Sequence, residues 1–179
     1  MRLSGLTGFV ILGALGFGAG GAIAVLSMLW PISLSLSVLV GGAVGGASLG
    51  LALRDWRRAM ILAMLGTLGL TAGIFATLGF ASYFAYSPAP LGALVGAVVG
   101  ASLGVAFLDW RTILALGLAG ALGFGIGFLA GDLLRASFPV IKGLGSIVVA
   151  GMIGGASLGA TLGILETRRP AGGRGQRVR

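Results

Sequence analysis

Six long apolar runs dominate this chain, and short clusters of charge, proline and hydroxyl side chains separate them. The runs cover about Leu6–Leu29, Leu34–Leu53, Ala59–Tyr83, Leu91–Leu108, Thr112–Ala130 and Ser146–Leu165. Each comes close to the roughly 20 residues that a helix needs to cross the hydrocarbon core of a bilayer. The pattern predicts an all-α polytopic membrane protein with six transmembrane helices in one domain, residues 1–166. Residues 167–179, rich in arginine, glycine and proline, read as a disordered basic tail.

The runs repeat one another. Gly-Ala-Ser-Leu-Gly stands at Gly46–Gly50, Gly100–Gly104 and Gly155–Gly159, in the second, fourth and sixth runs. A different motif links the first, third and fifth: the stretch Leu12 to Gly20 is echoed from Leu65 to Gly73 and from Ala119 to Gly127. The unit is therefore a helical hairpin of about 54 residues. Its copies lie at about 5–54, 58–109 and 112–166. Two spans return the chain to the side it left, so the three hairpins are expected to be parallel copies. Arg2 and the apolar stretch that follows have the look of a signal peptide, but a cleavable signal has no reason to copy later helices. The first run is expected to stay in the fold.

Glycine accounts for 36 of 179 residues, each costing about 1 kcal/mol relative to alanine inside an aqueous helix. Position shows what offsets that cost. Gly42, Gly46 and Gly50 are spaced by four, as are Gly96, Gly100 and Gly104, and Gly151, Gly155 and Gly159. At about 100° per residue each set forms one stripe. The odd-numbered runs carry i, i+3, i+7 sets: Gly13, Gly16, Gly20; Gly66, Gly69, Gly73; Gly120, Gly123, Gly127. These too are expected to share a face. Lipid tails are as apolar as leucine, so membrane helices associate by close backbone approach, which small residues permit. The arrangement resembles a glycine zipper, a packing motif of many unrelated membrane proteins. In glycine density the chain is also similar to the rotor hairpins of rotary ATP synthases. Those need a carboxylate at mid-membrane, whereas Asp55, Asp109, Asp132 and Glu166 all fall at predicted helix ends.

Composition narrows the chemistry. With 57% hydrophobic and 9% charged residues, and a mean hydropathy of +1.09, no stretch is left for a soluble catalytic domain. Cysteine and histidine are absent. That excludes disulfides, Cys- or His-ligated metals, a nucleophilic thiol and a histidine base. No cofactor is expected, and no enzymatic activity. The serines have no histidine or buried lysine to activate them.

The net charge of +8 is read as topology and lipid attraction, with no nucleic-acid partner. Arg2, Arg54, Arg57, Arg58, Arg111 and the tail arginines fall on one side, and only Arg135 and Lys142 on the other. By the positive-inside rule both termini are cytoplasmic, against the anionic inner leaflet. Trp56 and Trp110 then mark the inner boundary, and Trp30, Tyr83 and Tyr86 the outer one. Pro31, Pro88 and Pro90 are assigned to tight outer turns, while the third outer connection, Asp132 to about Gly145, is longer and charged. Arginine in place of lysine, with abundant glycine and alanine, suits a GC-rich bacterial genome and hence a plasma membrane.

Three clusters could carry a function, and each has a plainer account. Asp55-Trp56-Arg57 and Asp109-Trp110-Arg111 form a possible cytoplasmic interface; equally, Asp caps a helix, Trp anchors and Arg sets topology. Ser48, Ser102 and Ser157 could line a polar path, or bond back to their own helices. Thr67, Thr71 and Thr77, near Ser82 and Tyr83, admit the same two accounts.

Two functions remain. The first is a structural or assembly protein that packs beside other membrane proteins or copies of itself. It is favoured by strong packing and by the absence of ionisable residues from the spans, since buried charge marks ion or substrate coupling. The alternative is a small channel or facilitative transporter for an uncharged or small solute.

Overall fold

The computed structural model describes residues 5–29, 34–80, 87–137 and 144–168, and they form six α-helices. These are α1 (Leu6–Leu29), α2 (Leu34–Ala52), α3 (Trp56–Phe80), α4 (Pro88–Val105), α5 (Trp110–Ser137) and α6 (Leu144–Thr167). Five are long and apolar enough to cross a membrane. The exception is α2, whose apolar stretch, Leu36–Ala52, is shorter. An all-helical bundle of this kind fits a multi-pass membrane protein. Arg2, Trp30, Pro31, Ser82, Tyr83, Tyr86, Phe138, Pro139, Lys142 and residues 169–179 lie outside the described residues.

Several boundaries differ from the hydropathy reading, each for a local reason. Helix α4 starts at Pro88, not Leu91, because Pro88 and Pro90 occupy its first turn, where a missing N–H costs nothing; Ser87 is the N-cap residue. Helix α3 starts at Trp56, since Asp55 caps it. Helix α5 runs on past Ala130 to Ser137, so Asp132 and Arg135 are helical and exposed, not part of an irregular connection. Gly131 explains the extension: a Cβ there would stand 2.5 Å from the Ser146 Cα, so α6 braces this last stretch of α5. At 28 residues α5 is about 42 Å long, and Asp132 lies about 33 Å from its start, beyond a hydrocarbon core of about 30 Å.

The helices close into a ring. Each packs against the helices before and after it in the chain, and α1 packs against α6. Neighbours are antiparallel: Gly42 meets Gly66 and Gly50 meets Ala59 along α2 and α3, while Gly151 meets Phe17 and Gly159 meets Phe9 along α6 and α1. The starts of α1, α3 and α5 and the ends of α2, α4 and α6 therefore share one end of the bundle, here called the basic end. Side chains are distributed inside out relative to a water-soluble protein. The large apolar residues project outward, among them Met64, Leu68, Leu118 and Leu122, each more than 60% exposed. A soluble protein rarely exposes so continuous an apolar surface; lipid is its natural solvent.

The interior toward the basic end is solid. Leu49, Leu103 and Leu158, one from each GASLG motif, are almost fully buried, as are Leu62 and Leu116. They form one cluster with Leu162, Val99, Phe17 and Phe124. Phe17 and Phe124 meet edge to face, with centroids 5.8 Å apart and planes at 83°. Helices α1 and α5 are not neighbours in the ring, so this pair crosses its interior.

Candidate functional site: the seams and interior of the ring

Two kinds of seam hold the ring. Between consecutive hairpins, at α2–α3, α4–α5 and α6–α1, glycine backbone meets backbone. Gly42 faces Gly66, Gly46 faces Leu62 and Gly50 faces Ala59. Gly96, Gly100 and Gly104 face Gly120, Leu116 and Ile113; Gly151, Gly155 and Gly159 face Phe17, Gly13 and Phe9. At nearly all of these positions a Cβ would collide with a main-chain atom, mostly a carbonyl oxygen; for Gly42 it would stand 2.6 Å from that of Gly66. Neither partner can yield there without moving its helix.

Within each hairpin the contact changes character. Gly16, Gly69 and Gly123 lie against the side chains of Ser48, Ser102 and Ser157. Gly20, Gly73 and Gly127 then meet Gly41, Val95 and Ala150. The nine glycines of these three sets thus do not serve one neighbour: Gly13, Gly66 and Gly120 serve the preceding seam, and the other six serve the hairpin's own partner. Helices that cross at an angle hand a stripe from one neighbour to the next along their length.

The serine hydroxyls belong to the within-hairpin seams. Ser102 Oγ donates to the Leu65 carbonyl of α3 at 3.0 Å and to Val99 at 2.8 Å; Ser157 Oγ donates to the Ala119 carbonyl of α5 at 2.8 Å. Only Ser48 bonds solely within its helix among these contacts, to Gly45 at 2.7 Å. Back-bonding alone was thus an incomplete account of two of the three. Thr67 Oγ1 donates to Leu39 of α2 at 3.1 Å, while Thr71 and Thr77 bond back within α3. Every buried side-chain oxygen or nitrogen among the described residues has a partner.

The two Asp-Trp-Arg turns lie together at the basic end. Asp55 Oδ1 accepts the N–H groups of Arg57 and Arg58, and Asp109 Oδ1 accepts that of Arg111, so both carboxylates cap the following helix. Thr112 Oγ1 donates to Asp109 Oδ2 at 2.9 Å. That hydroxyl, then the Arg111 N–H, holds the Asp109 carboxyl below the usual range. The residue before each Asp, Arg54 or Leu108, adopts the left-handed conformation with φ of 55° or 51°, which reverses the chain within a few residues. Trp56 and Trp110 are largely exposed, and the Arg111 guanidinium sits 5.7 Å from the Trp110 ring centroid. Arg58 pairs with Asp55 at 3.4 Å and reaches Glu166 of α6 at 3.9 Å, across the basic end; such exposed pairs are weak. No cluster of three or more metal-ligating side chains occurs among the described residues.

Sequence reasoning missed a cavity. In the half of the ring away from the basic end, a space of about 200 Å³ is lined from all six helices. Phe17, Leu70 and Phe124 line its deep end, next to the leucine-filled half; Gly21, Ile74 and Phe128 lie one turn farther out. Gly41, Val95 and Ala150 complete it from the other three helices, and the lining is almost wholly apolar. The available signal was an exchange of bulk. Phe17 packs on Gly45 and Phe124 on Gly154, whereas in the same register the middle hairpin has Leu70 and Val99. Likewise Phe128 lies on Gly92 and Gly21 on Ile147.

No protein-family model matches the sequence, and neither a characterised protein nor a solved structure matches it.

Proposed function

We propose that this is a structural or assembly protein of a bacterial plasma membrane: a six-span scaffold that packs beside other membrane components. In this reading α2 spans with the other five. It shares their antiparallel ring, and its 19 residues rise about 28 Å, close to the core thickness. The chain is then three parallel hairpin repeats joined by glycine-zipper seams. Both termini are cytoplasmic, with Arg54, Arg57, Arg58 and Arg111 facing the anionic leaflet at the basic end.

The observation that carries the proposal is the solid leucine half of the ring. Leu49, Leu103, Leu158, Leu62 and Leu116 leave no polar route, and all three serine hydroxyls have acceptors on backbone carbonyls. With the glycine stripes consumed inside, the surface left for partners is the bulky apolar exterior and the Asp-Trp-Arg turns at Asp55, Trp56, Arg57 and Asp109, Trp110, Arg111. The test is gentle solubilisation of native membranes, purification of the tagged chain and measurement of what accompanies it. The expected result is a companion at fixed stoichiometry that dissociates when Trp56 and Trp110 are replaced by alanine. A homogeneous chain with no companion would overturn the reading.

One observation favours a second reading, facilitated passage of a small uncharged solute: the cavity lies on the ring's interior and draws on every helix. The leucine half is then the barrier that must open. Solute entry into proteoliposomes measures this directly, and vesicles as tight as protein-free ones would reject it.

A further inference from the structure

We infer that the interior cavity is a binding site for a compact hydrocarbon group of about six to eight carbons, with no charge and no hydrogen-bonding requirement. This goes beyond the scaffold reading, which needs no ligand.

The lining sets the chemical class. Phe17, Leu70, Phe124, Ile74, Val95 and Phe128 present rings and branched alkyl groups, and no side chain offers a polar atom to the space. The nearest hydroxyl groups of the serine set, on Ser102 and Ser157, lie deeper and are engaged by carbonyls of α3 and α5. A polar solute would lose its hydration and gain nothing. Water fares no better, because it needs two to four polar partners to be held. Size sets the rest. An apolar cavity of about 150 Å³ lined by Leu, Ile and Phe stays dry and takes benzene. At about 200 Å³ this one admits a slightly larger group. The sequence also builds the space unevenly. Where one hairpin carries Phe128, the others carry Ile74 and Gly21 at the same register; a Cβ on Gly21 would stand 3.0 Å from the Ile147 carbonyl oxygen, so α1 contributes no side chain there and the lining is uneven around an otherwise threefold arrangement.

A hydrocarbon group can come from a free small molecule or from the end of a lipid acyl chain, and two probes separate these sources. The full chain in lipid nanodiscs is irradiated with a six-carbon alkyl diazirine, or with a phospholipid carrying a diazirine near the end of one acyl chain. Labelled residues are identified by peptide mass spectrometry. The expected result is labelling of cavity residues, Ile74 and Phe128 foremost, saturable by excess unlabelled hexane or benzene. Labelling by the alkyl diazirine alone assigns a free molecule, and labelling by the phospholipid assigns an acyl end. Ile74→Phe, which places in the second hairpin the residue the third already carries, should cut this labelling about tenfold. Leu118→Phe, the same bulk on the lipid-facing surface, should leave it unchanged. If Ile74→Phe fails to fold, Phe128→Ala serves instead and should raise labelling of Ile74 severalfold. Labelling confined to outward residues such as Met64, Leu68 and Leu122, or insensitive to a folded Ile74→Phe chain, would overturn the inference.

Discussion

The seams between hairpins and those within them use the same residue for different ends. Between hairpins, Gly46, Gly100 and Gly155 set main chain against main chain, and the neighbouring carbonyls leave no room for a methyl group. Within hairpins, Gly16, Gly69 and Gly123 make room for a serine side chain, and two of those serines return a hydrogen bond across the seam. The first kind of seam is rigid, because only a helix can move to relieve it. The second is adjustable at the level of the serines, because a side chain can move there, whereas farther along Gly20 and Gly127 again meet the main chain of Gly41 and Ala150. A ring held by both closes firmly where hairpins meet and keeps its tolerance at the serine level of each hairpin.

Four single substitutions, one of them with a rescuing partner, test that contrast in falling order of effect. Gly100→Leu drives a branched side chain into the Leu116 carbonyl and should destabilise by at least about 3 kcal/mol, enough to abolish the monodisperse bundle in size-exclusion chromatography. Normal elution and an unchanged thermal midpoint would refute the rigid seam. Gly16→Ala should cost less, about 1 to 2 kcal/mol, because its Cβ meets mainly the Ser48 side chain. Adding Ser48→Gly should restore most of the loss, leaving Val44 O at 3.4 Å as the nearest contact. A double variant no better than the single would show that backbone, not hydroxyl, limits this seam. Ser102→Ala removes one interhelical hydrogen bond and should lower stability by about 0.6 kcal/mol, measured by reversible unfolding in mixed micelles. Smallest is Gly117→Ala. Its nearest neighbour beyond its own helix is Ala97 O at 3.6 Å, so the methyl fits and should stabilise by about 0.5 kcal/mol. A clear loss there would mean that the α4–α5 seam is tighter along its whole length than its closest contacts suggest.

These contrasts also show where reading the sequence stops. The spacing of Gly42, Gly46 and Gly50 was enough to predict a close helix contact, but not that the partner would be the next hairpin and not its own. Ser48, Ser102 and Ser157 were recognisable as equivalent, yet Ser102 and Ser157 find acceptors on another helix while Ser48 bonds back to Gly45, a difference that one-helix geometry could not show. Asp55 and Asp109 were legible as caps because a cap is local, set by residues two or three positions away. The extension of α5 through Asp132 was not, since the contact of Gly131 with Ser146 lies across the third connection.

By itself the sequence determined the number of helices, their apolar character and the small-residue positions at which they could approach. Those follow from hydropathy and from the helical period, which act within one segment. Only the tertiary structure decided that the six helices close into a ring, which neighbour each glycine serves, and that one half is filled by leucine while the other lines a cavity. The reason is that closure and filling depend on summed volume across helices distant in the chain. Phe17 needs Gly45 and Phe124 needs Gly154, and where Leu70 and Val99 stand instead, no single segment records whether the remaining space is full.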